Sequence, residues 1–397
     1  MSKRQRNRIK RKKQKRHHSP DCKRYRNSRR GVSASSLKRA KKRKSPREKS
    51  KVKKKIGSSK KTIAKTSSLL IEEETRKSKA VSKSGNKREK IFNAYVKNLN
   101  FLIDNRFVTG EKDKYICPID LKSHNNIDDP KDPLALEDAP PKSLGGSANT
   151  LTCKSCNNTC GTKIDSHLVK RMREIDDAKF LPNTETKVQV KIGDDTFQGT
   201  LKIEADGTLK MIHSNKNNNP SALKDKMENL EEDMVVDINF IKSNVIPENL
   251  EFALLKTAYL IFFEKFGYSL IFDKCYDIVR DQLQHPEKRV YPAGFWFKPP
   301  FPKTMEGVYF VCDKGLESIL ALFSLDTGKT ETMFGVFLPL PIHSIEDVID
   351  RLNKTMKEKK SFPLMLYPLE QKRMNYLSDK QNISSMYQWI DERKEIS

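Results

Sequence analysis

The sequence has no run of apolar residues long enough to span a bilayer, and its N-terminus lacks the apolar stretch of a secretory signal. The expectation is therefore a soluble intracellular protein with no membrane partner. It would be cytoplasmic or nucleoid-associated in a bacterial host and nuclear in a eukaryotic one, where KKRK at Lys41–Lys44 would serve as an import signal. Cysteine is scarce, seven in 397 residues, an odd set with three bunched between 153 and 160. That distribution argues against a disulfide framework and suits a metal site in a reducing compartment. Acidic and aromatic residues are nearly missing from the first ninety positions, which hold 37 Lys and Arg against 6 Asp and Glu, net +31. Residues 91–397 carry 41 against 45, net −4, so the formal +27 of the chain belongs to one end. A stretch so poor in apolar side chains cannot offset the entropy of ordering, and residues 1–88 are expected to be a disordered polybasic tail. Flexible positive charge binds phosphate backbones by releasing condensed counterions, without sequence preference, so a nucleic acid is the expected partner.

Beyond the tail the pattern changes. Ile91, Phe92, Tyr95, Val96, Leu99 and Leu102 recur at helical spacing and predict a helix leading into a small domain over 89–178. YICPIDL, an Asp- and Asn-rich loop, the LALED strand, the PPKSLGG loop, a short LTC strand and a helix from near Lys154 follow in order. So few apolar residues need a staple. Residues 179–397 read as an α+β domain of unknown role. TKVQVKI, TFQGTLKIEA and TLKMIHS alternate apolar and polar residues around GDD and ADG turns, as antiparallel hairpins do, and SNKNNNPSALKDK reads as a loop. Pro247 and Gly267 bracket PENLEFALLKTAYLIFFEKFG, apolar nearly all round and so a buried central helix, with Lys256 and Glu264 making it a poor membrane span. GVYFVC, SILALFSL and TMFGVFLPLP read as further strands, SIEDVIDRLNKTMKEKK as an amphipathic helix, and FWFKPPFP at Phe295–Pro302 as a packed loop, with base stacking or partner binding as the alternative. Cys275 and Cys312 sit in apolar contexts and read as buried thiols.

Cys153-x-x-Cys156 falls where the LTC strand meets the next helix, and Cys117 opens CPID, a knuckle-like turn 36 residues earlier. A tetrahedral structural zinc takes four such ligands. Cys117, Cys153 and Cys156 supply three. The fourth is Asp120, standing where a knuckle has its second cysteine, or Cys160, one helical turn beyond Cys156.

Between the cysteine turns lies LEDAPPKSLGG, Leu136–Gly146, followed by CKSCNN at Cys153–Asn158 and then GTKIDSHL. Together, residues 115–168 resemble an HNH endonuclease domain of the subtype framed by a cysteine knuckle, an acidic-His-x-Pro-Pro-Lys-Ser-Leu-Gly-Gly stretch and a CxxCN helix start. The resemblance implies the ββα-metal fold and hydrolysis of DNA phosphodiesters with Mg or Mn. Carried over position by position, Glu137 is the acidic metal ligand, Asn157 the terminal ligand on the helix and Asn149 the asparagine that orients the base. Lys142 would hold the phosphodiester backbone. The base position itself is Asp138, where the family has histidine. A neutral imidazole takes a proton from water near pH 7; a carboxylate with an ordinary pKa of about 4 is a far weaker base. Of the nearest imidazoles, His167 lies too far along the helix and His124 sits in the Lys122–Asp132 loop. Two functions follow: a metal-dependent DNA endonuclease weakened or silenced by Asp138, or a non-catalytic zinc-containing protein that binds nucleic acid or organises a complex.

Overall fold

The computed structural model describes residues 86–213, 218–229, 231, 234–241, 244–369 and 374–396. Residues 1–85, which hold nearly all of the expected polybasic tail, lie outside the described residues. Among the described residues the chain is mixed α and β with antiparallel sheets, and no helix is long and apolar enough to cross a membrane.

Helix α1 spans 86–104 and buries Tyr95, Leu99 and Leu102, the stripe its spacing predicts. Strands β1 (Tyr115–Ile116) and β2 (Ser123–His124) pair antiparallel and bracket the Cys117 turn. Strand β3 (Leu134–Asp138) then pairs antiparallel with β4 (Ala148–Cys153), Leu134 opposite Cys153 and Glu137 opposite Thr150. The loop between them contains a cis Ala139–Pro140 bond and a 3-10 turn at Lys142–Leu144 that ends on Gly145 in the left-handed region. Gly146 is required for a different reason: a Cβ there would fall 1.6 Å from the Pro140 carbonyl oxygen. Strand β4 runs straight into α2 (Lys154–Cys160), a π turn at Gly161–Asp165, and α3 (Ser166–Asp177). The expected order of strand, loop, strand and helix is present.

Residues 182–241 form a separate compact unit. Strands β5 (Thr184–Ile192), β6 (Asp195–Ile203), β7 (Leu209–His213) and β8 (Val236–Phe240) make an antiparallel sheet in the order β7-β6-β5-β8. The alternation in TKVQVKI buries Val188, Val190 and Ile192 on one face. The segment read as a loop is in part helical: α4 (Pro220–Glu228) starts on Asn219, whose side chain accepts from Ser221 N and Ala222 N, and Pro220 fits the first helical position. Its single buried residue, Leu223, gives no periodic apolar signal.

The remainder belongs with residues 86–181. Helix α5 (Pro247–Phe266) is buried on nearly all sides, as its composition predicts, and ends at Gly267 with φ of 54°. A short helix α6 (Tyr268–Ile271) and α7 (Asp277–Gln284) follow. Strands β9 (Trp296–Phe297), β10 (Gly307–Val311), β11 (Ser318–Asp326), β12 (Glu331–Leu338) and, after α8 (Ile345–Lys359), β13 (Leu366–Pro368) form an antiparallel sheet in the order β13-β10-β11-β12-β9. Helix α9 (Lys380–Ile396) closes the described chain, burying Ile383, Met386 and Ile390. One continuous core runs from Tyr95 to Ile390, with α5 inside it. Each fully buried Leu or Phe there contributes about 1.5–3 kcal/mol. The division expected at 178/179 is thus drawn differently: the cysteine-bearing segment shares its core with 244–396, and the independent unit is 182–241. Trp296 and Phe297 of FWFKPPFP form an edge strand rather than a loop, and Cys275 and Cys312 are half-buried free thiols.

Candidate metal centre and the neighbouring charged cluster

Cys117, Asp120, Cys153 and Cys156 converge: one ligand atom from each lies within 4.8 Å of all the others. The turn that presents the first two is closed at both ends. Leu121 N donates to Cys117 O at 2.9 Å and Cys117 N to Lys122 O at 2.9 Å, with Leu121 in the left-handed region at φ of 56°. Cys153, at the end of β4, donates its backbone N–H to Cys117 Sγ at 3.4 Å, and its thiol approaches Asp120 Oδ2 at 3.4 Å. Asp132 accepts from Ser155 N at 3.0 Å and so fixes the first turn of α2, which carries Cys156. Burial pushes the Cys117 thiol well above its ordinary range, while hydrogen bonds from Cys117 and Cys156 draw Cys153 down. Thiols packed this closely oppose one another's ionisation, and a divalent ion would displace their protons. Three sulfurs and one oxygen suit a tetrahedral zinc. This cluster could hold a metal ion. Of the two alternatives for the fourth ligand, the structure brings Asp120 into the cluster; Cys160 is buried elsewhere, its sulfur 4.0 Å from Leu283 O.

The residues expected to hold a catalytic cation are arranged differently. Glu137 is 4% exposed, and its Oε1 lies 2.6 Å from Nζ of Lys256, a residue of α5 that is itself 1% exposed. The same ammonium lies 2.5 Å from Oδ2 of Asp165 in the π turn. Thr152 donates to Glu137 Oε2 at 3.1 Å. Burial raises both carboxyl groups above their ordinary range, partly offset by Lys256. For Lys256 burial acts downward, but Asp165 and Glu137 outweigh it and the net displacement is upward. The group between the two carboxylates is therefore a fixed lysine, and Mg or Mn does not fit there while Lys256 holds that position.

Asn157 donates Nδ2 to Leu136 O at 2.9 Å, tying α2 to β3. Asn149 donates to Glu264 Oε2 at 2.5 Å and to Ala139 O at 3.5 Å, while its own Oδ1 is buried without a partner. Asp138 is half-buried, with its carboxyl raised by burial and pulled back by Lys142, Lys87 and Lys256. Lys142 is exposed on the 3-10 turn. Neither histidine supplies a base at this place. His167 Nδ1 accepts from Ile246 N at 3.0 Å, and His124 is buried beside β1 with both ring nitrogens unpartnered.

The groups that sequence reasoning did not assign to the site are Lys256, Asp165 and Glu264. A signal for two of them exists: Lys256 and Glu264 are charges inside a helix apolar all round, and a buried charge needs a partner. They lie eight residues apart, about two helical turns, and both reach the β3–β4 segment. Comparison with profiles of known protein families, with curated proteins and with solved structures finds no match to this chain.

Proposed function

We propose that the chain is a nucleic-acid-binding protein built on a zinc-stapled HNH-like frame whose hydrolytic centre is closed by a lysine. The observation that carries this reading is the Lys256 ammonium between Glu137 and Asp165. Lys256 occupies the space between the two carboxylates, and its repulsion of a divalent ion about 4 Å away, on the order of 8 kcal/mol at an effective dielectric constant of 20, offsets the attraction of one carboxylate at that distance. Without a divalent cation at Glu137 no Lewis acid activates water or stabilises the leaving oxygen, and Asp138 adds a further negative charge in place of the family's imidazole. The partner is supported by charge: net +31 over residues 1–90 against −4 over the rest.

The test is incubation of the purified full-length protein with supercoiled plasmid in Mg²⁺ or Mn²⁺, beside a gel-shift titration over a range of salt. Expected are intact plasmid and binding that weakens steeply as salt rises. Nicking that disappears in Asp138→Ala would establish the endonuclease reading instead.

A further inference from the structure

A cleft of about 510 Å³ is lined by α3, the start of α5 and the β9–β12 edge of the five-stranded sheet. Its apolar lining includes Leu168 and Met172 of α3, both buried. Its aromatic part is Trp296, half-buried, with Phe334 at a centroid distance of 6.0 Å. Lys298 holds its ammonium 5.3 Å from the Phe334 ring centre, and Arg171 lines the same cleft. The two acidic residues there are already engaged: Glu251 by Arg289 at 2.6 Å, Glu174 by Arg171 at 3.3 Å. Lys298 has no carboxylate partner among the described residues, and burial followed by Arg171 and Lys179 pushes its pKa down. With Arg171 and Lys179 as its charged neighbours, Lys298 stands where compensating negative charge is missing.

An aromatic face, an apolar lining and an uncompensated cation form one arrangement. The ligand they fit has a flat ring and an anionic group a few ångströms from it. A cleft of this volume is in the range that encloses a small molecule. We propose that it takes one nucleotide of a single-stranded nucleic acid, the base against Trp296 and the phosphate on Lys298. The inference rests on the nucleic-acid reading above and gives the FWFKPPFP segment a function distinct from the polybasic region. Stacking on an aromatic side chain tolerates any base, so the site adds affinity for unpaired strands and little sequence preference.

The chain has two tryptophans, and Trp389, stacked on Phe310 at 4.5 Å, can be replaced by phenylalanine. Full-length Trp389→Phe protein then reports Trp296 alone. It is titrated with oligo-dU and oligo-U of about eight nucleotides, and with a duplex, in about 0.3 M salt to suppress binding by the basic region. Expected is saturable quenching by the single strands and none by the duplex, whose paired bases cannot enter. Lys298→Glu, at an exposed position and checked by circular dichroism, should shift the quenching midpoint about ten-fold or more. The tighter of the two single strands identifies the sugar. Gel-shift binding with unchanged Trp296 emission, or equal quenching by the duplex, would overturn the cleft while leaving the nucleic-acid reading in place. Absence of quenching in about 0.3 M salt would remove the cleft, and absence of gel-shift binding in low salt as well would remove both.

Discussion

Lys256 is a buried cation whose two partners come from distant parts of the chain, 119 and 91 residues away. Removing one member of such a cluster leaves uncompensated buried charge and costs about 3–5 kcal/mol. Lys256→Met should therefore lower the urea-unfolding free energy by about that amount, and combining it with Glu137→Gln and Asp165→Asn should recover much of the loss. A pH signature goes with it. The folded-state pKa of Lys256 lies above its ordinary 10.5, so its contribution is fully present below that value and is lost as pH rises through the folded value. The alkaline fall in melting temperature should be shallower in Lys256→Met than in the wild type. On the proposed reading the same residue also bears on cleavage. Asp138→His alone should leave plasmid intact, because the imidazole would arrive without a cation; nicking by that single variant would show that Lys256 does not exclude the metal. Gly146→Ala tests the loop: with Pro140 O where the methyl group must go, thermal unfolding should shift down by several degrees.

At the scale of elements, the cysteine cluster that could hold a metal joins a turn, the end of a strand and the start of a helix. One zinc per chain is expected by native mass spectrometry, with the melting temperature falling on chelation. Asp120→Cys should hold the ion more tightly and Asp120→Ala more weakly, whereas Cys160→Ser should keep the stoichiometry. Loss of zinc only in the Cys160 variant would reverse the assignment of the fourth ligand. Elements with strong local signals were legible in the sequence: the stripe of α1, the alternation of β5, and the proline and glycine that bracket α5. Elements stabilised by one or two tertiary contacts were not. Helix α4 buries a single side chain, and β9 is two residues long and held by pairing with Gly335 and Val336. The CPID turn was legible from its cysteine, but its left-handed residue, Leu121, was not, because no glycine marks the position.

At the scale of the molecule, charge and core are separated along the sequence. Deleting residues 1–85 should abolish most salt-sensitive, sequence-independent DNA binding, because the remainder is slightly acidic overall. Unchanged affinity in low salt would move the nucleic-acid interface into the folded part. The two units should also differ in stability. Among the described residues the clustered core of 182–241 has six buried side chains, against one that extends from Tyr95 to Ile390. Amides of β5 should accordingly exchange with deuterium faster than those of β11, where Ile319–Phe323 are all buried.

The sequence by itself determined the basic first ninety residues, the α and β segments with strong periodicity, and the cysteine pattern that could hold a metal. These follow from composition, period and spacing, which are properties of neighbouring residues. Only the tertiary structure decided that Asp120 and not Cys160 completes the cysteine cluster, and that an ammonium stands between Glu137 and Asp165. Both depend on which side chains meet across about a hundred residues or less than forty, and the free energy of burying a charge is set by the partner that folding brings to it.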